Sequence, residues 1–119
     1  MGEQRWVPLS DLLLDPANPR LPADMQGEAQ EDLAVHLELG FDALTVAESI
    51  ASHGFFGSEP LIVIKDETSD KWVVVEGNRR LTALLGLVDP NIRAQFANPA
   101  PWAPLAEQAE LSYGDQVPV

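Results

Sequence analysis

The chain is expected to fold as a small domain of α/β type (α+β), a small mixed β-sheet with three to four helices, on three observations. Two short runs rich in β-branched residues, Leu61-Ile-Val-Ile-Lys65 and Trp72-Val-Val-Val-Glu76, flank an acidic turn and read as adjacent, paired strands. The second run passes directly into Gly77, after which Leu81, Leu84, Leu85 and Val88 recur at the i, i+3, i+4, i+7 spacing of one helical face. Upstream, Leu33 and Leu37, and then Leu44, Ala47, Ile50 and Ala51, repeat a helical spacing.

Taken in order, Arg5–Pro8 reads as a short edge strand that Pro8 closes. Ser10-Asp-Leu-Leu-Leu-Asp15 is expected to form one helical turn with Ser10 as its cap. Asp15-Pro-Ala-Asn-Pro-Arg20 and Leu21-Pro22 place three prolines in seven residues, which forces a stiff, extended segment. Residues 23–29 read as polar loop, and a helix over Gln30–Leu39 is expected to end at Gly40. A second helix fits Asp42–His53 with Gly54 ending it, and Gly57-Ser-Glu-Pro60 turns into the Leu61–Lys65 strand, whose composition reads as buried. Asp89-Pro90 stops the helix that follows Gly77, and Pro90 suits the first position of a short helix through Phe96. Asn98–Pro104, with three prolines, reads as loop, Leu105–Leu111 as one or two helical turns, and Gln116–Val119 as strand. The 119 residues are expected to make a single domain with one core, and the strand-like end suggests the N-terminal part of a longer protein.

Composition narrows the function. A hydrophobic content of 45% argues against disorder of the whole chain. No apolar run approaches the roughly 18 to 20 residues that cross a bilayer, the N-terminus does not read as a signal peptide, and the expected setting is the cytoplasm without a membrane partner. The absence of cysteine excludes disulfides, thiolate metal sites and a cysteine nucleophile. The 19 acidic residues outnumber the 7 basic ones, for a net charge of −12. Holding a duplex takes many cationic contacts to phosphate, so DNA would be contacted only through another domain or chain. A compact anion needs only two or three arginines.

Two of the 7 basic residues stand side by side as Arg79-Arg80, where the second strand turns into a helix. Glycine at such a junction lets a ligand approach the backbone, and the helix start offers free N–H groups and a positive dipole end. Arg79 and Arg80 would lie in the first turn, able to take a phosphate through charge-assisted bonds. Glu76, at the strand's end, is the candidate Mg²⁺ ligand and catalytic carboxylate. The plainer alternative stays open: Gly77 as a tight turn, and Arg79, Arg80 and Arg20 paired with protein carboxylates. His53 suits a helix C-terminus, His36 an exposed helical face, and Trp72 and Trp102 packing roles. Phe55 and Phe56, between glycines, are candidates for a pocket lid.

Several features in order then resemble the ParB/sulfiredoxin-like superfamily: Asn18-Pro19-Arg20, Val46-Ala47-Glu48-Ser49-Ile50 through Gly54, Pro60-Leu61-Ile62-Val63, Glu76 to Leu84, and Val117-Pro118-Val119 as the start of the last strand. The resemblance spans nearly the whole chain, with extra material at about 22–40 and 89–115. In ParB partition proteins, a Gly-Glu-Arg-Arg segment and an upstream proline-arginine segment grip the triphosphate of CTP. The resemblance therefore implies Gly77, Asn78, Arg79 and Arg80 as a phosphate cradle for CTP or another nucleoside triphosphate with Mg²⁺. Arg20 would reach in from the other side, and Asn18, Ser49, Gly54, Phe55 and Pro60 would form pocket walls.

The departures bear on chemistry. Asn78 stands where those proteins have glutamate, which implies binding with little or no hydrolysis. It also stands where sulfiredoxins have the reactive cysteine, so sulfinic-acid reduction is excluded. The resemblance further implies a DNA-associated role, with a homodimer among the expected assemblies. Alternatives are a nucleotide-dependent enzyme of the same fold, a nuclease or phosphotransferase using Glu76, and an interaction domain that has lost its ligand.

Overall fold

The structure, a computed structural model, describes residues 5–17, 29–54 and 60–119. The chain begins with β1 (Trp6–Pro8), a 3₁₀ turn (Leu9–Asp11) and β2 (Leu12–Leu14), followed by the helices α1 (Gln30–Phe41) and α2 (Ala43–His53). The hairpin β3 (Ile62–Lys65) and β4 (Trp72–Glu76) comes next, then α3 (Asn78–Val88), α4 (Pro90–Ala94), α5 (Trp102–Ala109) and β5 (Gln116–Pro118). The fold is thus mixed α+β, with small sheets and five α-helices among the described residues, one or two more than the sequence suggests.

β4 is the middle strand of a three-stranded sheet, antiparallel to β3 and parallel to β2. β1 and β5 form a separate antiparallel pair. Among the described residues, one backbone bond, Leu61 N–H to Pro118 O at 3.0 Å, joins the two sheets. Val75 is an extra residue on β4, since Ile62 faces Glu76 while Val63 faces Val74. That is a β-bulge at the end of β4 nearest Gly77.

The interior is organised around α3. Every residue from Leu81 to Leu87 is buried, because α1, α2, α4, α5 and the β2–β4 strands surround the helix. Burying a leucine is worth about 1.5–3 kcal/mol, so the four leucines here supply a large part of the core's stabilisation. Gly86 leaves room for Trp102, which is fully buried and stacks at a tilt on Phe96 with ring centroids 4.7 Å apart. Trp102 is therefore a core residue, and a nucleobase has no access to it.

Several expectations are corrected. Ser10 caps no helix: only Leu9–Asp11 turn, and Leu12–Leu14 form a strand whose Leu12 and Leu14 point into the core. Alternation at a period of two wins over the local turn propensity there. α1 continues through Gly40 to Phe41 and stops where Asp42 adopts a left-handed conformation (φ 53°), its N–H bonding Glu38 O. Aspartate is among the non-glycine residues that enter that region most readily. The buried stripe of α2 is Ala43, Ala47 and Ile50, with Leu44 and Ala51 only half-buried. β3 is not a buried strand: Leu61 ahead of it is covered, whereas Ile62 and Ile64 are each 56% exposed. Finally, α5 begins at Trp102 inside the expected loop, because Pro101 and Pro104 fall at its cap and third residue. The N–H groups of a first turn have no helical partner anyway, so proline costs little there.

Candidate phosphate site at the start of α3

Because β2 and β4 are parallel, their carboxyl ends, Leu14–Asp15 and Glu76–Gly77, lie at the same end of the sheet. Ligands in open α/β sheets bind outside the carboxyl ends of strands, where helices begin. Gly77 makes the turn from β4 into α3 in a left-handed conformation (φ 104°, ψ 18°). A Cβ there would run into the Leu61 side chain, so both conformation and space require glycine. The first intrahelical bond is Leu81 N–H to Gly77 O at 3.0 Å, and no side chain caps the helix. The Asn78 and Arg79 amides therefore have no acceptor from the helix and stand at its positive dipole end.

Asn78 is the organiser of this corner. Its side chain is buried, with Oδ1 accepting the Asp15 N–H at 3.1 Å and Nδ2 donating to Val74 O at 2.8 Å. The two partners fix the amide's orientation, since only oxygen can accept from Asp15 and only nitrogen can donate to Val74. Thr82, also buried, donates its hydroxyl to Asn78 O at 2.8 Å. The Asn78 side chain thus ties the end of β2 to β4, and its backbone N–H is the group it can offer an anion.

The other candidate residues are spread around this corner. Arg79 is exposed and its Nη2 donates to Asp42 O at 3.5 Å, at the α1–α2 junction. Arg80 is half-buried in the same first turn, and Glu76 is exposed at the end of β4. Pro60 is exposed just ahead of Leu61, the residue that packs under Gly77. Ser49 is exposed on α2, about 10 Å along that helix from Asp42 at 1.5 Å per residue, and Gly54 is exposed just past the far end of the helix. Asn18, Arg20 and Phe55 lie outside the described residues, as does Phe56. Asp15 Oδ1 accepts the Ala17 N–H at 2.9 Å, which closes a tight turn at the end of β2.

Two contributors carry no sequence signal as site residues. Gln30, the first residue of α1, uses its side-chain amide like a strand neighbour: Oε1 accepts Leu14 N–H at 2.7 Å and Nε2 donates to Leu14 O at 3.0 Å. Asp15 supplies the N–H that orients Asn78. Neither role has a periodicity or motif to reveal it, because both depend on chain segments distant in sequence meeting. Among the described residues, no group of three or more His, Asp or Glu is arranged to hold a metal ion, and no helix is long and apolar enough to cross a membrane. Against known proteins, no family model, no curated protein and no solved structure matches this chain.

Proposed function

We propose that this chain is a nucleotide-binding module of ParB/sulfiredoxin-like type, with little or no hydrolysis, that takes the phosphates of a nucleoside triphosphate at the start of α3. The observation that carries this reading is the uncapped helix start behind left-handed Gly77, set at the carboxyl ends of the parallel β2 and β4. Backbone amides there receive phosphate oxygens, and Arg79, Arg80 and Arg20 add charge. Mg²⁺ would be held mainly by the phosphates and water, with Glu76 as its protein ligand. Asn78 positions the amides rather than reacting, because its side chain is already spent on Asp15 and Val74. In this reading the protein's DNA-associated work lies in another domain or chain.

Calorimetry of the protein against each of the four nucleoside triphosphates with Mg²⁺ tests the reading. At least one is expected to bind with a micromolar dissociation constant. Arg79→Ala and Arg20→Ala are each expected to weaken it about 10- to 100-fold, from about 1.5–3 kcal/mol per charge-assisted bond. No heat with any of the four nucleotides defeats the proposal.

A further inference from the structure

We draw no further inference here: the strongest candidate, the exposed apolar sheet face of Ile62, Ile64 and Val75 beside the β3 edge, carries none because nothing in the structure among the described residues shows what covers it.

Discussion

Asn78 couples fold and site at the smallest scale. Asn78→Ala leaves the Asp15 N–H and the Val74 C=O without partners, and at about 1–3 kcal/mol per stranded group the expected loss is about 2–6 kcal/mol in urea unfolding. Asn78→Asp keeps the acceptor but sets a carboxylate against the Val74 carbonyl, so it should be destabilised as well, and a wild-type midpoint for either variant would contradict the bonding described. Glu38 behaves in the opposite sense. It is 7% exposed, and burial pushes its carboxyl above the usual range, reinforced by Asp42 and opposed by the nearby Trp102 indole. Among the described residues the buried indole Nε1–H has no acceptor at hydrogen-bond geometry, and burial of the Glu38 carboxyl remains the largest influence. A folded-state value above the unfolded one means that the folded protein holds this proton more tightly. The corresponding stability is present below the ordinary glutamate value and is lost as pH rises through the raised one. Glu38→Gln should therefore be more stable than the parent at pH 7 and lose that advantage near pH 4, and a pH-independent difference between the two would refute this.

Among the elements, those with strong local patterns are the ones the sequence reveals. α3 follows from its leucine spacing, and the β3–β4 hairpin from its β-branched runs around an acidic turn, because both patterns report burial against near neighbours. β2 is not legible, since three leucines read equally as a turn and its partner β4 is some 60 residues away. The exposure of β3 is missed for a related reason: β-branched composition reports strand geometry and says nothing about whether a layer covers the outer face. The role of Gln30 is equally hidden, yet it carries a prediction. Gln30→Ala exposes the Leu14 backbone to partial burial without partners, costing about 1–3 kcal/mol, and protection of the Leu14 amide from hydrogen exchange should fall with it. Unchanged protection at Leu14 would show that the amide clamp is dispensable.

Over the whole molecule, charge and topology set what the fold can hold. A net charge of −12 repels polyanions at long range, yet parallel pairing of β2 with β4 brings two strand ends, one helix start and Arg79 to a single corner. Half of that corner is legible in the sequence: the glycine, the arginine pair and the strand-to-helix junction are contiguous. The tie through Asp15, the packing of Leu61 under Gly77 and the contact of Arg79 with the α1–α2 junction arise only when distant segments meet. Self-repulsion also predicts a melting temperature that rises between about 20 mM and about 300 mM NaCl as screening shortens from roughly 20 Å to under 10 Å. A flat salt response would mean that the acidic groups are already locally compensated. The most direct test of the phosphate site is an amide-resolved titration of the ¹⁵N-labelled protein with each nucleoside triphosphate and Mg²⁺. The proposal predicts that the Gly77, Asn78 and Arg79 amides shift first and furthest while those of α5 stay in place; shifts confined to other regions, or none with any nucleotide, would contradict it.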